Sequence, residues 1–501
     1  MLSTAILAIA QIVIANMLGQ ERLGEYAIVF IPIDILILLQ DPGISVGLTA
    51  HIARYHHQGL DEEKKSTLAS GLLFNILISL IVASTVYSAS PLIASYYLHR
   101  PDLEPLLRIA SIAVFGQALI TTTNAVFIGY GRMKLQSLSG VIMAVARIIL
   151  SPLLVFIGLG TIGAISGYTI SIILTGSIGL FIAITLLRNT KGKIEVSSMV
   201  GGFGRLIRYG VPVYMSTLIN GALSQIYGSL MVLYVANIFI GNYSAAGNFS
   251  VLVGFVIGPI SVAIFPLFSK LHRGDENLGR AFRSSVKYSS LFSLPILGAL
   301  IALSHPFIGV LFGDRFPLAA YYLQLLMLIY VYIGIGSGSI SSLLNGQGEA
   351  RINLIGALIR LLAGGSLAFY LIPNYGIPGL IISMIISQIP SLVYILVWIK
   401  RNLGISPDWR TSAKIFSSVI PSTVLTLIFV GTQSNLWIEL LGGATIFVVS
   451  YLVLIKALRV LDATDYELFR AIVGDTGVIA RLVIPLIDLL EYGDLTHVRA
   501  R

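Results

Sequence analysis

The chain has 501 residues, of which 56% are hydrophobic and 11% charged; a soluble globular protein carries roughly 25% charged residues, so that class is excluded. It contains no cysteine, which removes disulfides, thiolate metal sites and cysteine nucleophiles together. The net charge of +9 sits mostly at the ends of apolar runs, where it acts as orientation signal and attraction for anionic headgroups, not as a nucleic-acid footprint.

A bilayer core of about 30 Å needs about 20 apolar residues in a helix. Such runs recur here without the alternation that a transmembrane barrel would show. The expected spans are 2–18, 25–50, 68–89, 106–128, 136–157, 162–187, 208–235, 244–268, 285–303, 318–343, 352–372, 377–398, 414–431 and 437–455, with a tail from Lys456. The first run, Met1 to Leu18, lacks a preceding basic segment and a small-residue cleavage pattern, so it reads as a helix and not as a leader. Its bare sufficiency to span points to a few residues missing upstream.

Polar residues inside the spans are costly and face a cavity or a partner helix. Asp34 lies mid-span in the second helix, two residues after Pro32. Gln117, Thr121 and Asn124 form a polar stripe in the fourth, and Ser216, Asn220, Ser224 and Tyr227 another in the seventh. Arg147 lies about 18 Å from the cytoplasmic end of the fifth helix, near mid-bilayer. Arg360 is nearly as deep in the eleventh. Serines and threonines are read as interhelical glue; the two arginines are read as functional, against a buried structural ion pair. Prolines at 32, 152, 212, 259, 295, 378, 390 and 421 interrupt many spans, which suits a transporter but is generally tolerated in membrane helices. In the tail, Asp462-Ala463-Thr464-Asp465 opens a helix, with Thr464 as expected cap and Leu468, Phe469, Ile472 and Val473 as its apolar face. A second stretch, Leu482 to Leu490, is similar. The tail either lies in the interface or packs on the bundle.

With the N-terminus in the cytoplasm, 26 of the 32 basic residues fall inside, four (Arg22, Arg100, Arg108, Arg315) outside, and two, Arg147 and Arg360, within helices. This segregation obeys the positive-inside rule and places both termini in the cytoplasm. An internal repeat is also present. Gly131-Arg132-Met133-Lys134 and Gly160-Thr161-Ile162-Gly163 recur as Gly348-Glu349-Ala350-Arg351 and Gly376-Ile377-Pro378-Gly379, at offsets of 217 and 216. Leu18-Gly19-Gln20 and Gly24-Glu25-Tyr26 recur as Ile240-Gly241-Asn242 and Gly247-Asn248-Phe249, at 222 and 223. Six helices separate the copies, so they keep one orientation. The expected fold is an all-α membrane protein of two six-helix lobes in pseudo-twofold arrangement, 1–190 and 205–400, two further helices in 410–455 and a cytoplasmic amphipathic tail, 456–501.

No GxxxxGK[ST] phosphate loop, no HExxH and no metal-spaced His/Asp/Glu set is present. His56-His57 sits beside Asp61, Glu62 and Glu63 in a charged loop read as solvated. External loops are short and acid-poor, so catalysis, cofactors and a metal are not expected.

Leu18-Gly19-Gln20-Glu21-Arg22-Leu23-Gly24-Glu25-Tyr26, then Asp41-Pro42-Gly43-Ile44 and Ala53-Arg54-Tyr55, resemble the first helices of the polysaccharide-transporter branch of the multidrug/oligosaccharidyl-lipid/polysaccharide exporter superfamily. Tyr209-Gly210-Val211-Pro212, Gly241 to Tyr243, Ala246, and Phe265-Pro266-Leu267-Phe268-Ser269 are similar to its second half, as Leu461 to Glu467 is to its tail. The order of these motifs covers the whole chain. Two departures stand out: Ile226-Tyr227-Gly228 replaces an acidic residue frequent at the end of helix seven, and the family's cavity lies mainly between helices one, two, seven and eight, whereas Arg147 and Arg360 are on five and eleven. The resemblance implies a flippase moving a lipid-linked oligosaccharide or polysaccharide repeat unit across the cytoplasmic membrane by alternating access, with Arg147, Arg360, Asp34, Gln117, Asn124 and Asn220 as candidate substrate contacts. Membrane lipids and glycan-assembly enzymes are the expected partners of a monomer. The competing reading is an ion-coupled multidrug exporter of the same superfamily, which would want several cavity carboxylates.

Overall fold

The computed structural model describes residues 2–190, 196–474 and 484–485. Nearly all of them are helical and none forms a strand. In chain order the helices are α1 (Leu2–Gln40), α2 (Ile44–Gln58), α3 (Asp61–Leu92), α4 (Glu104–Gly129), α5 (Met133–Leu154), α6 (Gly160–Asn189), α7 (Val196–Tyr234), α8 (Asn237–Gly247), α9 (Ser250–Lys270), α10 (Glu276–Ala302), α11 (Ser304–Phe312), α12 (Ala319–Met327), α13 (Ser337–Gly346), α14 (Ala350–Leu403), α15 (Trp409–Val430), α16 (Leu436–Ala457) and α17 (Ala463–Gly474). A π-turn, Val155–Leu159, joins α5 to α6, and 3-10 turns fill several loops.

Nine stretches among the described residues are long and apolar enough to cross a bilayer, or ten if the bent pair Ala319–Ile335 and Ser337–Gly346 counts as one. The protein is therefore a multi-pass membrane protein. Two stretches contain two expected spans each, and a third, α1, holds the first span and the larger part of the second, 25–50, whose remainder falls in α2. Helix α14 has 54 residues, about 80 Å at 1.5 Å per residue and more than twice a bilayer core. It is broken at Gly376 (φ 59, ψ −132). The 57-residue run Met133–Asn189 is broken at Gly158 and at Gly160 (φ 52, ψ −132). Helix α1 is broken at Gly19 (φ 73, ψ 178). Only glycine enters these left-handed regions without strain. Gly160 and Gly376 are repeat counterparts and carry almost the same backbone torsions. Gly131 (φ 69) and Gly348 (φ 75), the other landmark pair, also share theirs. The repeat seen in residue type thus extends to backbone geometry.

Contacts divide the chain into two compact units. Met1–Val251, Leu311–Leu325 and Ala350–Ile395 form the first; Leu252–Val310, Leu326–Glu349 and Leu396–Arg501 form the second. Lipid tails are as apolar as leucine, so helices here associate by close packing. In the first unit Gly176 and Gly179 of α6 seat on Leu119 and Thr123 of α4, while Gly116 of α4 admits Ile172 and Ile173. A cluster including Ile44, Leu48, Leu68, Phe127 and Leu206 binds α2, α3, α4 and α7. In the second unit Leu294, Val419, Phe447 and Tyr451 bind α10, α15 and α16. Phe156, Phe181 and Leu362, each at least 70% exposed, have the outward apolar character of side chains that meet lipid.

The tail helix α17 packs on the second unit through Phe469 of its expected apolar face and through an acidic cap that differs from the expected one. Its N-cap is Asp462, not Thr464: Asp462 Oδ1 accepts the Asp465 N–H (3.2 Å) and Asp465 Oδ2 accepts the Asp462 N–H (2.8 Å), a reciprocal capping box. Asp465 also binds Lys287, and Tyr288 Oη donates to its Oδ1 at 2.7 Å. Phe469 meets Tyr288 and Phe292 edge-on at 6.0 Å. Leu468, placed on the apolar face by periodicity, is exposed. The stretch Leu482 to Leu490 lies outside the described residues save Ile484 and Pro485, as do the side chains of Ile472 and Val473.

Candidate functional site

Arg147 occupies the interior of the first unit, where α1, α5 and α6 meet. Its Nη2 donates to Gln11 Oε1 at 3.1 Å and to Tyr26 Oη at 2.9 Å. Its guanidinium carbon lies 4.8 Å from the Tyr168 ring centroid. Phe30 completes an aromatic wall, 5.0 Å from Tyr26 and 4.6 Å from Tyr168. Every one of these partners is neutral. Arg147 Nε is buried without a hydrogen-bond partner, and among the described residues no carboxylate pairs with it. A membrane-embedded cation is normally paired; here a phenol, an amide and an aromatic face solvate it and leave its charge uncompensated.

Asp34, the expected counter-charge, forms no ion pair with either arginine among the described residues. Its side chain is exposed and bears electrostatically on Tyr168, as Arg147 does. Arg360, half-buried on α14, lies close enough to influence Tyr227 of α7. Tyr227 Oη is 3.5 Å from Ser387 Oγ, and Gly364, one turn from Arg360, leaves room for that phenol. Arg360 makes no hydrogen bond or ion pair among the described residues. Gln117 is half-buried with no side-chain partner, and Asn124 Oδ1 is buried and unsatisfied. Asn220 is exposed on α7. Among the described residues, no hydrogen bond joins Gln117 or Asn124 to the Arg147 cluster. The side chain of Ser216 lies outside the described residues.

Sequence reading missed Gln11, Tyr26 and Tyr168. It also missed that the backbones of α1 and α2 touch those of α8 and α7 at two levels. At one, a Cβ on Gly24 would run into the Asn237 carbonyl and one on Gly241 into that of Gln20. Asn242 Nδ2 donates to Gln20 Oε1 at 2.8 Å, and these two residues are repeat counterparts. At the other, Gly43 and Gly210 meet backbone to backbone, and a Cβ on Gly47 would lie 2.7 Å from the Leu206 carbonyl oxygen. His51, Arg54 and Arg205 gather beside this second contact. For the first level the signal was available in the sequence, since Gly24 and Gly241 stand at repeat landmarks; Gly43, Gly47 and Gly210 of the second do not.

Residues 13–321 match the family described as polysaccharide biosynthesis protein. The chain belongs to that family. A putative O-antigen transporter from Shigella dysenteriae is 23% identical over 389 residues, 77% of this chain and 93% of the relative. The succinoglycan biosynthesis transport protein ExoT from Rhizobium meliloti (strain 1021) is 22% identical over 452 residues, 88% of this chain and 87% of the relative. Among solved structures, the lipid II flippase MurJ in an inward closed conformation superposes with a TM-score of 0.75 at 18% identity, over 91% of this chain and 96% of that one. An inward-facing multidrug resistance MATE family transporter gives 0.63 at 18% identity, over 80% and 94%. These likenesses establish a common fold.

Proposed function

We propose that this protein is a flippase that carries a lipid-linked oligosaccharide or polysaccharide repeat unit across the cytoplasmic membrane. The observation that carries this reading is the uncompensated charge at Arg147, with Arg360 similarly unpaired. A lipid-linked sugar presents phosphate that needs cations, and hydroxyls that need amides and phenols; Gln11, Tyr26, Tyr168 and Tyr227 supply the latter. The names of the Shigella and Rhizobium relatives support a polysaccharide-export role. Of the candidate contacts, Gln117, Asn124 and Asn220 are read as lining the path beyond the arginine clusters. The arrangement supports a monomer, working beside enzymes that assemble the glycan.

The contact between counterparts Gln20 and Asn242 supports a pseudo-twofold axis along the membrane normal, because residues on such an axis meet their own copies. The three glycine-broken stretches read as two crossings each, the bent pair Ala319–Ile335 and Ser337–Gly346 as one and α7 as one more support fourteen spans, an even number that keeps both termini on the cytoplasmic side. Alternating access would then separate the Gly24–Asn237 level and the Gly43–Gly210 level in turn.

Reconstitution into vesicles with a fluorescent lipid-linked oligosaccharide tests the reading. Wild type should expose the headgroup to an impermeant quencher. Arg147→Ala and Arg360→Ala should slow this roughly tenfold or more, as expected for losing a charge-assisted hydrogen bond worth about 1.5–3 kcal/mol. Equal rates in wild type and empty vesicles would sink it.

One observation favours the ion-coupled exporter: Asp34 is exposed and forms no ion pair among the described residues, which suits exchange of a proton or sodium. A single carboxylate against two cations argues the other way. Asp34→Asn should keep substantial flipping, and wild type should export no cationic dye. Dye efflux that needs Asp34 and collapses with the ion gradient would install the exporter reading instead.

A further inference from the structure

A pocket of about 310 Å³ opens where the break in α1, the turn before α4 and the π-turn after α5 converge. It is separate from the Arg147 cluster and takes no part in the transport reading. Its polar wall is Arg22, Glu25, Asp102 and Thr161. Thr161 Oγ1 donates to Glu25 Oε2 at 2.8 Å and so leaves Oε1 open to a ligand. Arg22 forms no hydrogen bond or ion pair among the described residues, and neither does Asp102; the charge of Arg100, which is felt by both Asp102 and Glu25, lies outside the pocket wall. Gly160 leaves room beside Arg22: a Cβ there would lie 3.2 Å from its Nη1. The remaining wall includes Leu159 and Ile162, both more than 40% exposed, and Phe156 and Ile157 continue this outward apolar strip.

One unpaired guanidinium beside two carboxylates is complementary to a zwitterion. A strip of apolar side chains at its mouth suits an acyl chain, and the residues lie at helix ends, where the expected spans put the headgroup region. We propose that this pocket binds a phospholipid whose headgroup joins a phosphate to a primary ammonium. Arg22 takes the phosphate oxygens, while Glu25 and Asp102 accept the three N–H donors of the ammonium. A trimethylated ammonium has no N–H to give, and a glycerol headgroup leaves both carboxylates facing an anion. Selection therefore runs in favour of phosphatidylethanolamine over phosphatidylcholine and phosphatidylglycerol.

Native mass spectrometry of the purified full chain, with the three lipids matched in acyl chains and glycerophosphoethanolamine as soluble headgroup, tests this. Retention of phosphatidylethanolamine should exceed that of the other two about fivefold, the scale of one or two semi-exposed charge pairs. The preference should fall to about one in Arg22→Gln and in Asp102→Asn. Both side chains are exposed, so both variants should melt like wild type. Equal retention of all three lipids by wild type overturns the proposal. So does a preference that survives both substitutions. Glycerophosphoethanolamine binding as tightly as the lipid would make this a site for a soluble phosphoamine, and also overturns it.

Discussion

Arg147 was legible in the sequence from depth alone: a guanidinium some 18 Å into an apolar helix has to be accounted for. Its partners were not. Gln11 and Tyr26 are 136 and 121 residues away in the chain, and a phenol in a membrane helix carries no mark that separates a cavity residue from an interfacial anchor. The geometry makes a residue-level prediction that charge alone does not. A lysine at 147 keeps the charge but loses the planar fork that reaches Gln11 and Tyr26 together and stacks on Tyr168. Arg147→Lys should therefore recover only a minor part of the flipping rate lost in Arg147→Ala, whereas Gln11→Ala, which removes one neutral acceptor, should lower it by no more than about tenfold. Full rescue by lysine in the vesicle assay would show that the site reads charge and not shape.

At the scale of elements, local chemistry explains where helices stop and what holds the tail. In the motif Asp462-Ala463-Thr464-Asp465 the expected cap, Thr464, lies two residues past the one used; the structure selects Asp462 because Asp465 then returns the bond and reaches Lys287. Burial pushes the Asp462 carboxyl up, but Lys287 and the Asp465 N–H outweigh it and hold it below its ordinary value. Asp465→Ala should cost about 3 kcal/mol, the low end for breaking a buried pair, since Asp462 remains 3.3 Å from Lys287. Limited proteolysis should then cut after residue 456 faster than in wild type. A second cap gives a pH dependence. Asp408 caps α15, accepting from Thr411 Oγ1 at 2.6 Å and from the Arg410 and Thr411 N–H groups. Burial raises this carboxyl, yet these bonds and Arg283 bring it below its ordinary value. Its contribution is thus present at neutral pH and lost as pH falls below the ordinary carboxylate value of 3.8. Asp408→Ala should lower stability by about 1 kcal/mol at neutral pH and flatten the acid limb of the melting-temperature profile; an unchanged acid limb would assign that limb to other groups.

For the whole molecule, hydropathy made the class plain, and repeat landmarks anticipated the left-handed breaks at Gly160 and Gly376. The expected ends at 18/25, 157/162 and 372/377 fall at the breaks at Gly19, Gly158 to Gly160 and Gly376; what hydropathy missed is the end of α1 at Gln40 and the start of α2 at Ile44, inside the expected span 25–50, because the apolar run continues across it. Fourteen crossings with both termini inside predict that reporters after Arg501 and within 269–283 read cytoplasmic and those within 91–104 external; one reporter on the wrong side breaks that topology. The meeting of Gln20 with Asn242 has a practical consequence of its own. A chain without cysteine is a blank background for thiol chemistry, and these two positions face each other across a backbone contact tight enough to exclude a Cβ on Gly241. Gln20→Cys with Asn242→Cys would place an oxidisable clasp on this level alone. Oxidation should arrest turnover and reductant restart it, so the equilibrium between closed and open forms becomes a clock with a chosen starting time.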